Sequence, residues 1–236
     1  MQETEISPKP SSTRAMFVIT VAVTAALYVV PYGHTIAYPL VLLSTLAHEL
    51  GHGITAALIG AHFDAFQMWA DGSGMASTRG TGGRVSDALI AAGGLCGPAF
   101  VACVFFVLGK RPMRARIGLF LLVAALTLIL VLFVRNGFGW AFISAVAFVC
   151  LVIALKAPAW MAQLTLIFVA VQLALSVFSR GDYLFTAVAQ TNAGNFPSDV
   201  ANMATALFLP FWFWGAACGA FSVVALLVGL RTVWKN

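Results

Sequence analysis

Apolar residues arrive along this chain in blocks of about the length that crosses a bilayer, separated by short polar breaks. A spanning helix needs about 20 mostly apolar residues, and on that ruler roughly seven segments qualify, near 16–32, 35–61, 86–109, 117–134, 140–155, 159–178 and 208–230. Residues 1–15 form a polar tail with Pro8 and Pro10, and residues 16–236 read as one membrane-embedded domain. The leader is long and carries Glu3 and Glu5, so the first apolar block reads as an uncleaved span, not a signal peptide. The expected fold is all-α: a polytopic transmembrane helix bundle of about six or seven spans. Two polar stretches interrupt it, a Gly-rich loop at 62–85 and a second loop at 179–207.

Composition supports that pattern. Of 236 residues, 61% are hydrophobic and 9% charged, where a soluble domain carries about a quarter charged residues. Mean hydropathy is +0.96. A soluble enzyme and a disordered chain are excluded together. The net charge of +5 does not imply a nucleic-acid partner, because the bases are scattered over loops. The densest run, Lys110-Arg111-Pro112-Met113-Arg114-Ala115-Arg116, suits anionic headgroups of a lipid bilayer. Cys96, Cys103, Cys150 and Cys218 all lie within apolar blocks without C-x-x-C spacing, which offers neither a disulfide framework nor a thiolate metal site. No internal repeat supports an inverted-repeat transporter.

One apolar block contains a dense polar cluster, Ala47-His48-Glu49-Leu50-Gly51-His52-Gly53. On a helix His48 and His52 are one turn apart on one face. Both imidazoles then reach a single Zn2+ at about 2.0–2.1 Å. Glu49, beside that face, is placed to take a proton from the attacking water without being a ligand. With four His in the chain, composition alone would produce H-E-x-x-H roughly once in a thousand such chains. Each ionisable group at a helix centre costs about 2.5–3.5 kcal/mol on insertion scales, so three within five residues call for a bound partner.

Catalytic zinc usually has three protein ligands and one open position. His34 and His62 fall near the ends of the second segment, while Asp64, Asp71 and Asp87 belong to the polar loop or the next helix start. Asp182 and Asp199 remain. Both follow the sixth segment, which exits on the side toward which the His pair lies. Asp182 is the preferred third ligand and Asp199 the alternative; Ser198-Asp199 also reads as a helix N-cap that needs no metal. The glycines Gly51, Gly53, Gly93, Gly94 and Gly97 permit close helix approach. Water must reach such a site, so a polar cavity should open on the exit side of the second segment.

Over most of residues 40–230 the chain resembles the site-2 protease family of intramembrane zinc metalloproteases, in its compact branch. His48-Glu49-Leu50-Gly51-His52 with Gly53 resembles the family's zinc helix. Trp69-Ala70-Asp71-Gly72-Ser73-Gly74 through Arg79-Gly80 resembles the loop after it, Ala91 to Gly97-Pro98 the Gly-Pro helix, and Pro197-Ser198-Asp199 to Pro210-Phe211-Trp212-Phe213-Trp214-Gly215 the Ser-Asp segment and final span. The family's Leu-Asp-Gly motif is absent, since Tyr183 follows Asp182, and Val101 stands where an Asn is common. The resemblance implies a zinc metalloendopeptidase, with His48, His52 and a distant Asp on the metal and Glu49 as base. It implies transmembrane protein substrates, cleaved in or near the bilayer of a bacterial cell membrane. It also implies that loop 62–85 is a re-entrant strand or hairpin pairing with unwound substrate. The alternative functions are a catalytically inactive protease-like scaffold or chaperone, and a small transporter using the His pair as a transit site.

Overall fold

The computed structural model describes residues 10–80, 82–178, 184–191 and 194–234. Helix α1 (Pro10–Val29) is followed by a short turn of helix α2 (Gly33–Ile36) and by α3 (Tyr38–Leu58). A hairpin, β1 (His62–Met68) and β2 (Gly74–Arg79), then leads to α4 (Arg84–Leu108), α5 (Pro112–Leu132), α6 (Gly137–Lys156) and α7 (Ala159–Leu175). A second hairpin, β3 (Val188–Thr191) and β4 (Gly194–Pro197), precedes α8 (Asp199–Leu207) and α9 (Phe211–Trp234). Among the described residues, five helical stretches are long and apolar enough to cross a membrane: 84–108, 112–132, 137–156, 159–178 and 211–234. The remaining two expected spans are α1, whose apolar stretch is Thr13–Leu27, and α3, whose apolar run is broken by His48, Glu49 and His52. The polytopic helical bundle expected from the hydropathy pattern is present, with two small hairpins added.

Helix α7 is the hub, with 61% of its apolar window buried against 28% for α5 and for α6. Its apolar face packs with α1, α4, α5 and α9 around Phe106, Leu119, Leu166 and Ile167. Buried side-chain amides at that hub donate to the elements around it, the kind of polar contact that joins helices in an apolar interior. Gln172 Nε2 donates to Thr24 Oγ1 at 2.6 Å, and Gln163 Nε2 donates to the Gly109 carbonyl at 2.7 Å. These bonds dock α1 and the α4–α5 turn onto α7. A second cluster joins α3, β1, α5 and α6 through Leu46, Phe66, Met68 and Ile143. A third, with Leu95, Val200, Met203 and Cys218, packs α8 between α4 and α9.

The loop expected at 62–85 folds as an antiparallel hairpin whose register shifts at Asp64, between Phe63 and Ala65. It runs back along α3 from the C-terminal end of that helix toward its start. There Tyr38 Oη donates to the Ala70 carbonyl, and Thr45 Oγ1 donates to the Gly72 carbonyl at 2.7 Å. At the open end, Arg79 forms a two-pronged ion pair with Asp64, at 2.8 and 2.9 Å. Asp71 accepts from Ser73 N and Oγ and shapes the tip. The loop acids Asp64 and Asp71 therefore serve the hairpin itself.

Candidate metal centre

Helix α3 carries the cluster because its small residues let neighbours come close. A Cβ on Gly51 would stand 2.2 Å from the Gly93 carbonyl oxygen, and one on Gly94 would stand 2.3 Å from the His52 ring. Backbone thus meets backbone where α3 crosses α4, and the His52 imidazole lies in the groove that Gly94 leaves. His52 Nδ1 lies 2.7 Å from the Ile90 carbonyl oxygen. A carbonyl only accepts, so Nδ1 carries the proton and Nε2 is left with its lone pair for another partner. The His48 and His52 rings meet edge to face with centroids 4.7 Å apart, and their Nε2 atoms are 3.1 Å apart.

Asp199 completes the group. Its Oδ2 is 2.9 Å from His48 Nε2 and 3.4 Å from His52 Nε2, with the three side chains 12–15% exposed. Yet that oxygen is buried, and among the described residues no directed hydrogen bond reaches it. Two imidazole nitrogens and one carboxylate oxygen, all within 4.8 Å of one another, form a nitrogen–nitrogen–oxygen donor set that suits a divalent cation. An orphaned buried oxygen facing an imidazole lone pair is the arrangement that such an ion relieves.

The delivery of Asp199 is local chemistry at the start of α8. Ser198 is the N-cap: its hydroxyl accepts from Ala201 N at 3.2 Å and donates to the Thr186 carbonyl at 2.6 Å. Asp199 is the first helical residue, and burial of Val200 and Met203 fixes the helix beneath it. The Ser-Asp pair therefore divides two roles that the sequence presented as competing, with the cap on Ser198 and the carboxylate free for the imidazoles. Asp182, the preferred third ligand of the sequence reading, lies outside the described residues.

Glu49 is 7% exposed and turned toward the hairpin, where its Oε2 accepts from Ala76 N at 2.7 Å. That bond was missed by sequence reasoning, since it depends on the register of β2. A Cβ on Gly74 would stand 2.8 Å from Glu49 Cγ, so the hairpin lies directly on the acid. A cavity of ≈ 380 Å³ opens beside the centre, its wall including His52, Asp199, Thr78, Arg84, Asp87 and Asn202. It lies at the C-terminal end of α3, the exit side expected of a water route. His52 precedes the end of α3 at Leu58 by about 9 Å at the helical rise. His62 is exposed on the hairpin rim.

A family model described as Peptidase M50B-like matches residues 18–229. No curated protein and no solved structure matches the chain. The family match spans both the His48–His52 helix and Asp199, and its members are integral membrane proteases of the zinc type. The chain belongs to the Peptidase M50B-like family, within the site-2 proteases, and is a multi-pass integral membrane protein.

Proposed function

We propose that this chain is an intramembrane zinc metalloendopeptidase that hydrolyses peptide bonds of membrane protein substrates in or near the bilayer. The observation that carries the reading is the meeting of His48, His52 and Asp199 around a buried oxygen to which no described residue gives a directed hydrogen bond, beside the Glu49 carboxylate on the helix of the two histidines. His48 Nε2, His52 Nε2 and Asp199 Oδ2 would hold the metal, leaving a position for water and substrate. When bound, zinc polarises a carbonyl and lowers the pKa of water toward about 7.

The chain supplies the rest. The Ile90 carbonyl orients His52 from behind, the outer-shell hydrogen bond that fixes a ligand's tautomer. Glu49 accepts the proton of the attacking water and delivers it to the leaving amine, a role worth about 10²–10⁴ in rate. The cavity past Thr78, Asp87 and Asn202 admits water to a centre otherwise walled by apolar helices. A substrate helix must unwind before its amide is attacked, and its freed backbone then needs partners in lipid. The outer edge of β2 offers them by strand addition.

The test is cleavage of a transmembrane substrate by the purified protein in liposomes. The expected result is hydrolysis that a chelator stops and zinc restores, and that Glu49→Gln lowers by about 10²–10⁴ with metal retained. Biological activity persisting unchanged in Glu49→Gln would instead favour a non-catalytic scaffold, and metal flux through the protein would favour a transit site.

A further inference from the structure

The bond from Ala76 N to Glu49 Oε2 is not required by the chemistry above, and it occupies the base. The register explains why that amide is available. Ala76 stands opposite Phe66, whose N–H and C=O turn away from β2 to the Phe133 carbonyl and the Arg135 amide. In an antiparallel ladder such a pair directs its polar groups outward on both strands. Alternation turns the backbone groups of Gly74 and Thr78 the same way as those of Ala76.

The far side of the hairpin is closed. Residues 133–135 pair with Phe66, and the Asn136 carboxamide serves Met68 as a further strand would. Its Nδ2 donates to the Met68 carbonyl at 2.6 Å, and its Oδ1 accepts from Met68 N at 3.4 Å. The edge left for an added strand is β2, and the amide at its middle is held by Glu49.

We propose that the Ala76 backbone amide is a positioning group with two alternating partners: the Glu49 carboxylate in the free protein and a substrate carbonyl oxygen in the complex. The exchange releases Glu49 to water only when a substrate strand is in place. This inference rests on the peptidase reading of the site. No covalent bond changes in the step; one hydrogen bond to the amide replaces another. A charged acceptor gives way to a neutral one, which is the weaker partner. The substrate must therefore add bonds at Gly74 and Thr78 to drive the handover. A peptide too short to pair along β2 leaves the base held, and its deficit lies in kcat.

Two measurements test this. Proline is tolerated where a strand's N–H faces outward, so Ala76→Pro removes the donor while sparing the ladder to β1. The expected result is opposite signs: kcat for a fluorogenic tripeptide rises about three- to tenfold, while a full transmembrane substrate loses through KM. A merely structural role lowers both together and overturns the proposal. The second readout needs no turnover. Hydrogen exchange at the Ala76 amide of the intact, zinc-loaded protein should be about tenfold faster in Glu49→Ala than in the parent chain. Equal exchange in the two proteins, with cleavage by the parent chain established, overturns the handover alone. Absence of cleavage by the parent chain overturns the peptidase reading, and the handover with it.

Discussion

One hairpin lies against the helix that carries the two imidazoles and the other precedes Asp199, and the two are held on opposite terms. β1–β2 is built into the bundle: Phe66 and Met68 are fully buried, its far edge is closed by residues 133–136, and its tip is tied to Tyr38 and Thr45. In β3–β4, all four residues of β4 are exposed. The second hairpin joins the core through Ala189 and through Ser198, whose N–H and hydroxyl bond the carbonyls of Ala187 and Thr186. The first is a wall, and the second is a handle on Asp199. Segments with few buried contacts open at low cost, so the position of Asp199 depends on α8 and its buried Val200, not on the strands before it.

The largest effect that could break this comparison is at the ligands. Asp199→Ala and His52→Ala should each lower zinc affinity by at least about 100-fold and end cleavage, read by metal content after dialysis. Metal retained by Asp199→Ala would mean that α8 delivers nothing to the centre. Next comes the groove for His52. Gly94→Ala should destabilise the fold by about 1–3 kcal/mol through overpacking and weaken zinc binding together with thermal stability.

Those two expectations differ in how far the sequence foretold them. The spacing of His48, Glu49 and His52 and the small residues at Gly51 and Gly94 were legible, because a helical period and a missing Cβ are local facts. The water cavity followed from them. Which acid meets the imidazoles was harder to read. Counting spans places Asp182 and Asp199 on the same side as the imidazoles, and Asp182 is preferred because Ser198-Asp199 also reads as a helix cap. Helix α8 is nine residues long, too short to register as a span, yet its start meets the imidazoles of α3. Ser198-Asp199 read as a cap, and the cap is real, but it belongs to Ser198 alone. The bond between Glu49 and Ala76 was beyond reach, since it rests on a strand register that a bulge at Asp64 shifts.

Smaller perturbations sharpen the contrast between wall and handle. Asn136→Ala leaves the Met68 amide and carbonyl without partners, at a cost of about 1–3 kcal/mol. It should raise KM for a strand-forming substrate more than it lowers kcat, as steady-state kinetics would show. Ser198→Ala removes the cap of α8, worth about 1 kcal/mol, and should weaken zinc binding less than Asp199→Ala does. Gln190→Ala, on exposed β3, should change stability by no more than about 0.5 kcal/mol and leave zinc binding unaltered in a denaturation and metal-titration series. An effect of Gln190→Ala as large as that of Asn136→Ala would erase the distinction between the hairpins.

The most direct measurement is zinc content with X-ray absorption at the metal edge, on the purified parent chain, Asp199→Ala and Asp182→Ala. The expected result is one zinc per chain in the parent and in Asp182→Ala, with two imidazole nitrogens and a carboxylate oxygen at about 2.0–2.2 Å, and none retained by Asp199→Ala. A metal-free parent chain under zinc-replete conditions, or a metal lost with Asp182 and kept without Asp199, would contradict the account.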